Sequence, residues 1–595
     1  MHNVEIFNLS DENGLIMIFH QSENVKKNEY ILFGGFCEIA VIYGRIMIQG
    51  YKIDSTNSSI SEPFFISSFR KSREQITITN ITEKLEIDDG KNQNTLLELF
   101  PYDKECIYKL CKSIKNNSAV LHLKRNETPL LLKLKALYPN YLHVPGYAIE
   151  TKLFRDAAIL NKQRYVRDNY YLSYGVQAKL KEIIQKLSNV KTGKVIKILT
   201  YGSSENGLSA LNKYIANSCL NIKNCNVYWG ELNVEQPEFT PPGVVSLTHV
   251  TEPILTDSYL HVNPNIVYSL FYGKNYIENM DPKYITVVSA LISEFVKITN
   301  KDKSLSYLLI LNTMPLRGSE KRDFITTIVS ISSPDDLFLC CQGKPFKYIP
   351  TNFDSNKIIV VEAPIDVNGN KRTGGNESYE NDRGELKRIP FSAYFARYIT
   401  NLPKTAFALN LIQWPFYQIC FSQIKLHIQD KFITFESETF DDALNVVLVA
   451  LCTMTEVNNG GFYTHNLNDK GSLQLLNPNF KGFYKRINHR KTNLLFVGYG
   501  IITNIDKKRE LFDIFTPISR EKLLDVNVLV KPNFFNIPSE MLFLQHDCEY
   551  SYSKGNYNDK EWFAWNKDLS RIVDINDKTD YRNYNDIDYK RIRES

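Results

Sequence analysis

The residues whose types and spacing could do chemistry lie between Lys194 and Gln236. Gly202, Ser203, Ser204, Glu205, Asn206 and Gly207 make a glycine-bounded loop, followed by Leu208, Ser209 and Ala210. The spacing is that of G-x-x-x-x-G-K-[ST], with Leu208 standing where the lysine belongs. In such a loop the glycines let backbone N–H groups converge on a phosphate. The helix that follows turns its positive end to the same point, and a hydroxyl in the place of Ser209 holds Mg²⁺. The chemistry also wants an acid at the end of a strand beside the loop, to hold the ion or its water, and Glu231 ends the next apolar run. Taken alone the pattern is weak, because many turns match it by chance, and Glu205 adds negative charge to a loop meant for anions.

Those residues need a strand before the loop, a helix after it and a second strand under the acid. Val195–Tyr201 reads as the first strand, the run to about Leu220 as the helix, and Asn226–Leu232 as the second strand. Further on, Asp281-Pro282 opens a helix running to about Thr299, with proline in a favoured first-turn position. Ser306–Leu311, Leu337–Cys341 and Lys357–Glu362 are near-continuous apolar runs of the kind found in buried parallel strands. Helices alternating with such runs predict an α/β core, a P-loop NTPase-like doubly wound parallel sheet, between about residues 165 and 400.

The flanks read differently. The first hundred residues carry the short runs Tyr30–Phe33, Glu38–Tyr43 and Arg45–Gln49, separated by Gly34-Gly35, Gly44 and Gly50, which predicts a small β sandwich or barrel. From about Glu150 the pattern turns helical, most clearly over Tyr171–Leu187. Residues 367–382, rich in Gly, Asn and charge, read as a loop by composition, and a short basic cluster of Arg383, Lys387 and Arg388 follows. The expected division is a β-rich accessory domain at 1–150, the P-loop domain at 151–402, a mixed α+β domain at 403–548 and a disordered tail at 549–595, with Trp562 and Trp565 as anchors should it order on a partner.

Bulk properties bound the function classes. At 595 residues the chain is too long for one core. A net charge of +5 is too mild to mark a nucleic-acid binder by itself. The ten cysteines include no C-x-x-C pair, so a structural zinc site is not expected. No apolar run approaches the ~18 residues of a membrane helix, and the first residues lack a basic flank and apolar region. An intracellular protein of the cytoplasm or nucleus, without a membrane partner, is expected.

One string narrows this. Gln236–Leu247 reads Q-P-E-F-T-P-P-G-V-V-S-L. It resembles the end of the D-x-D-x-G-Q-P-E-F-T-P-P-G-x-V-S-L signature of the polynucleotide 5′-hydroxyl kinase family. The likeness is to the nucleolar branch that works in pre-ribosomal RNA processing, related to the branch of mRNA cleavage and polyadenylation. Glu252-Pro253, Tyr259–His261, Phe271–Gly273 and Asp281-Pro282-Lys283-Tyr284 resemble its continuation. Ile310–Met314 resembles the strand leading into its T-x-G-W substrate clasp. Gly498–Asp506 resembles the strand G-x-G-[LI]-V-R-x-[IV]-D, and Thr516-Pro517 with Leu523 and Val526–Val530 resembles the ending T-P-x-x-x-x-x-L-x-x-[VI]-N-x-L-V. The match spans roughly residues 25 to 540, with its strongest motifs at 236–247 and 498–530.

The resemblance implies Mg-ATP, in-line attack of an RNA 5′-hydroxyl on the γ-phosphate, a part in processing the internal transcribed spacer of pre-rRNA, a partner endoribonuclease, and the nucleolus. It implies ATP binding along 202–210, Ser209 and Glu231 on the metal, and catalytic parts for Glu231, Gln236, Arg383 and Arg388. The chain departs from the pattern where the charge should be. The lysine is Leu208, the second strand-end acid is Asn233, the glycine before Gln236 is Glu235, and Pro315-Leu316 replaces the clasp's Gly-Trp. Lys213, a turn along the helix, and Lys197, read as a solvent-facing strand residue, are the nearby lysines weighed as substitutes. Two functions therefore stand open: a working kinase, and a pseudokinase whose core positions the partner nuclease. The basic runs at Lys485-Arg486, His489–Lys491 and Lys507–Arg509 are RNA-phosphate candidates, weighed against an ordinary solvated surface.

Overall fold

A computed structural model of the chain describes residues 4–541 except 11–13, 22–29, 56–59, 70–75, 84–93, 95, 139–141, 143, 145–148, 161–172, 190–192, 203–207, 262–263, 278–280, 315–320, 342–349, 351–352, 363–387, 398–415, 422–423, 429–445, 455–492, 507, 533–534 and 539–540. The chain forms two compact units. One comprises Met1–Glu231, Leu247–Ile266 and Phe295–Gly369, the other Leu232–Ser246, Val267–Glu294 and Asn370–Ser595.

Among the described residues the first unit opens with a ten-stranded sheet. Its organising strand is Tyr30–Tyr43, which runs straight through Gly34-Gly35 instead of turning there. It pairs with Ile76–Asn80 and Ala157–Leu160 along its first part, and with Phe64–Ser68 and Ser118–Lys124 further on. The two glycines serve close approach rather than a turn. A Cβ on Gly35, at φ +97°, would meet the Asp156 carbonyl at 1.9 Å, and one on Gly34 would meet the Leu160 side chain at 2.8 Å. Side-chain alternation sorts the core. Leu15, Met17 and Phe19 face one apolar cluster, while Ile16 and Ile18 face another, under the helix Lys104–Ser113. Among the described residues the helix expected from about residue 150 is Tyr174–Leu187. Residues 149–160 are instead the hairpin strands Ile149–Phe154 and Ala157–Leu160, held to the glycine stretch of the long strand.

The same unit holds the parallel sheet, ordered Ile358–Glu362, Asp336–Cys341, Val195–Gly202, Ser306–Asn312, Cys225–Glu231. The expected strands are thus present, and all seven residues of Ser306–Asn312 are buried, as a strand covered on both faces requires. The fold is α/β and P-loop NTPase-like. The earliest strand in sequence, Val195–Gly202, lies between the two that come third and fourth. That reversal of winding is where open α/β sheets place ligands, beyond the carboxyl ends of the strands.

In the second unit, strands Val447–Thr453, Leu495–Asp506, Leu511–Phe515 and Val528–Lys531 pair antiparallel around Leu451, Ile502, Phe512, Ile514 and Leu529. Lys425–Ile428 adds a parallel edge. Tyr499 is fully buried, and its hydroxyl donates to the Pro242 carbonyl at 2.8 Å. The two glycines around it leave room for neighbours: a Cβ on Gly498 would fall 2.4 Å from the Tyr394 hydroxyl, and one on Gly500 2.7 Å from Ile514. The basic runs at 485–491 and the tail with Trp562 and Trp565 lie outside the described residues. Lys508 and Arg509 are exposed, their backbone N–H groups donating to Asp506. Among the described residues no helix is long and apolar enough to cross a membrane.

Candidate functional site

Three strand ends meet at one level. The register sets Thr200 opposite Asn312 and Asn312 opposite Glu231, so the three side chains stand in a row across neighbouring parallel strands. Thr200 lies two residues before the end of the strand that feeds the loop. Residues 203–207 lie outside the described residues, as do Arg383 and Pro315-Leu316, so Ser203, Ser204, Glu205, Asn206 and Gly207 are not placed. The residues on both sides of the loop are described. Gly202 packs against the neighbouring strand so closely that a Cβ would meet the Cys340 carbonyl at 2.3 Å. Leu208 and Ala210 are buried in the first turn of the helix Leu208–Leu220, and Ser209 is half-buried between them.

Glu231 is fully buried, and its carboxylate is compensated by donors instead of water. Trp229 and Glu231 are two apart on a strand and so share a face, which lets Trp229 Nε1 donate to Glu231 Oε2 at 3.0 Å. Asn312 Nδ2 donates to Oε1 at 2.9 Å. Asn212, one turn into the helix, donates from Nδ2 to Thr200 Oγ1 at 2.8 Å and to Asn312 Oδ1 at 3.0 Å. Thr313 Oγ1 donates to the Thr200 carbonyl at 2.7 Å. Thr200, Asn212, Trp229, Asn312 and Thr313 are the functional candidates that spacing alone did not reveal. For Thr200, Asn212, Asn312 and Thr313 the signal was a polar residue breaking an otherwise apolar buried face; Trp229 carried none.

Neither nearby lysine fills the place of Leu208. Lys213 Nζ donates to the Thr256 carbonyl at 3.2 Å. Lys197 does not face solvent as expected: it is half-buried, its Nζ donates to the Ser332 carbonyl, and burial pulls its pKa below the ordinary lysine value. The helix is also held from its far side. Asn217, fully buried, donates from Nδ2 to the Gln49 and Ile254 carbonyls at 3.0 and 3.1 Å and accepts from the Ile254 N–H at 2.7 Å. Gln49 and Gly50 form a tight hairpin turn with φ of +47° and +88°. A Cβ on Gly50 would strike the Ser218 hydroxyl at 2.5 Å.

The other expected site residues fall in the second unit. Asn233, in the place of the second acid, accepts the backbone N–H groups of Glu235 and Gln236 at 3.2 Å each and so closes a turn, with Gln236 half-buried. Tyr284 anchors the start of that segment, donating to the Leu232 carbonyl at 2.6 Å. Arg388 is half-buried in a short helix over 388–396. In the first unit, His249 is half-buried and stacks on Tyr228 with ring centroids 4.8 Å apart, and burial lowers its pKa. His261 Nδ1 lies 3.3 Å from Thr256 Oγ1.

No cluster of three or more His, Cys, Asp or Glu occurs among the described residues, so no all-protein metal cage is formed by them. Mg²⁺ that arrives with phosphate is commonly held by one or two carboxylates and the substrate's own oxygens, a donor set to which the first unit offers fully buried Glu231 and half-buried Ser209.

Comparison with known proteins bears on this arrangement. The family model described as mRNA cleavage and polyadenylation factor CLP1 P-loop matches residues 202–396. The polynucleotide 5′-hydroxyl-kinase nol-9 of Caenorhabditis briggsae is 25% identical over 371 residues, covering 61% of this chain and 63% of that relative, less than two thirds of its length. The polynucleotide 5′-hydroxyl-kinase NOL9 of Homo sapiens is 22% identical over 564 residues, covering 84% and 72%. A chain from a solved structure of the interface between Pcf11p and Clp1p overlays with a TM-score of 0.49 at 11% identity, covering 88% of this chain and 99% of that one.

Proposed function

We propose a function from the premise that this chain belongs to the polynucleotide 5′-hydroxyl kinase family, in the branch of the relatives named NOL9 and nol-9 and related to CLP1. The chain acts on RNA 5′-hydroxyl ends in the nucleolus, in processing the internal transcribed spacer of pre-rRNA, alongside a partner endoribonuclease. Bound Mg-ATP supplies the phosphoryl group, and the protein's work is positioning and charge compensation. Ser209 and Glu231 hold the ion, residues 202–210 cradle the phosphates, and Gln236, Arg383 and Arg388 serve the substrate side. The observation that carries this reading is the position of Glu231, ionisable and buried, level with Thr200 just below the loop.

A second reading is favoured by a different observation. The loop's charged residue is replaced by buried Leu208, and both nearby lysines are tied to backbone carbonyls elsewhere. Removing one preorganised stabiliser typically costs on the order of 100- to 1000-fold in rate. On this reading the chain is a pseudokinase that scaffolds the partner nuclease.

Transfer of radiolabelled phosphate from ATP to a 5′-hydroxyl RNA by the purified full-length protein separates the two. Transfer that is lost in Ser209→Ala supports the kinase and eliminates the scaffold reading. Absence of transfer that is restored by Leu208→Lys with Asn233→Asp supports the pseudokinase.

A further inference from the structure

The chain of side chains beneath the loop has a direction. Asn212 uses both amide hydrogens, one to Thr200 Oγ1 and one to Asn312 Oδ1. Turning the Asn212 amide over would set its carbonyl against that of Asn312. Turning Asn312 over would set its carbonyl against the Glu231 carboxylate, so neither flip is tolerated. The Thr200 hydroxyl spends its hydrogen on the Leu311 carbonyl at 3.3 Å, which leaves its oxygen to accept from Asn212. The bonds from Asn212 to Asn312 and from Asn312 to Glu231 therefore both run from the helix towards the carboxylate, and Trp229 closes the relay from the other side. At the helix end, Asn212 Oδ1 is buried and has no hydrogen-bond partner among the described residues.

We infer that Asn212 and Asn312 are positioning residues that couple the helix behind the loop to the Glu231 carboxylate. Asn212 stands three residues past Ser209 and four past Leu208, so a shift of the helix start moves its amide. Asn312 passes that movement on as the donor that fixes Glu231 Oε1. Outer partners of a metal-holding carboxylate set its orientation, and losing one typically lowers metal affinity about 10- to 100-fold. The inference rests on the proposed function only for what Glu231 holds. The relay itself stands on the hydrogen bonds.

The test uses the full-length protein and reads Trp229, isolated as the emission difference between each protein and its Trp229→Phe counterpart. Asn212→Leu touches neither Trp229 nor the carboxylate, yet it is expected to shift Trp229 emission while the protein still unfolds cooperatively. Unchanged Trp229 emission in that folded variant overturns the relay. If Asn212→Leu does not fold, Asn212→Ser, too short to reach Asn312, takes its place under the same criterion. In a second arm, labelled ATP is bound with and without Mg²⁺. The part of the affinity that depends on Mg²⁺ is expected to fall about tenfold in Asn212→Leu, with the metal-free affinity unchanged. An equal loss in both conditions marks Asn212 as merely structural and contradicts the inference. A wild-type protein that binds no ATP overturns the nucleotide reading instead, and the emission arm then decides the relay alone.

Discussion

Asn312 Nδ2 lies 2.9 Å from Glu231 Oε1, so the residue that ends one parallel strand fixes the carboxylate that ends its neighbour. A carboxyl group buried to 0% exposure needs such hydrogen-bond partners. The strand-end acid is thereby held by a donor on each oxygen, in a row with Asn312 and Thr200.

Gly202 is fixed by its neighbour strand as much as by any phosphate. Gly202→Ala places a Cβ against the Cys340 carbonyl, which has no side-chain freedom with which to yield. Overpacking of this kind costs about 1–3 kcal/mol. Thermal unfolding of the apo protein should show the loss without any ligand present. An unchanged midpoint would mean that the strands do not approach as described.

Asn217 ties the loop's helix to the N-terminal sheet. Asn217→Ala leaves the Ile254 N–H and the Gln49 and Ile254 carbonyls buried without their partner. Each such group costs about 1–3 kcal/mol when left unmade. We expect a loss of several kcal/mol in denaturant unfolding, with faster hydrogen exchange along Leu208–Leu220. Exchange unchanged in that helix would argue against the tie.

Lys283 gives the second unit a pH signature. It is buried, and burial pushes its pKa down to about 8 from an ordinary 10.5. Below pH 8 the group is protonated in both folded and unfolded chains, and the full burial cost opposes folding. Between about pH 8 and 10.5 the folded protein releases the proton while the unfolded chain keeps it, so stability attributable to this group rises with pH across that window. In Lys283→Met that contribution should vanish and stability at neutral pH should increase. The comparison is urea unfolding of both proteins at pH 7 and pH 9.5, and an identical pH response in the two would contradict the assignment.

Tyr499 joins two stretches that the sequence marked separately. Its hydroxyl reaches the Pro242 carbonyl, so Tyr499→Phe should cost about 1 kcal/mol and Tyr499→Ala about 3–5 kcal/mol, the larger figure reflecting the cavity left among Phe271, Phe391, Phe496 and Phe535. Calorimetric melting distinguishes the two steps, and equal losses would show that packing contributes little there.

Much of this was legible in the residues. The apolar runs at 306–311 and 337–341 became buried parallel strands because a strand buried on both faces leaves no alternation to mistake for a helix, whereas the run at 357–362 became the edge strand, with Val360 48% exposed. Gly34-Gly35 misled, since glycine marks close approach as readily as it marks a turn, and only the strand at 157–160 distinguishes the two. Residues 149–160 misled for a related reason: a short hairpin whose strands pair with a distant partner carries little pattern of its own. At the site, loop spacing pointed to Ser209, and Glu231 was named as a strand-end acid whose role came from the family resemblance. Spacing could not point to Asn212, Asn312 or Trp229, whose work comes from register across strands far apart in sequence. The same limit applies to Lys197, whose ammonium is claimed by a helix end that begins over a hundred residues later.

We infer, on the function proposed above, that the strand ends around Glu231 form a Mg-nucleotide site that has kept its frame without its loop lysine. Equilibrium dialysis of labelled ATP against the full-length protein, with Mg²⁺ and with a chelator, tests it most directly when wild type is compared with Glu231→Gln. We predict binding that Mg²⁺ strengthens in wild type, and loss of that strengthening by about tenfold or more in a Glu231→Gln protein that still unfolds cooperatively. Binding that Glu231→Gln leaves untouched, or no binding by the wild-type protein in either condition, would contradict the claim.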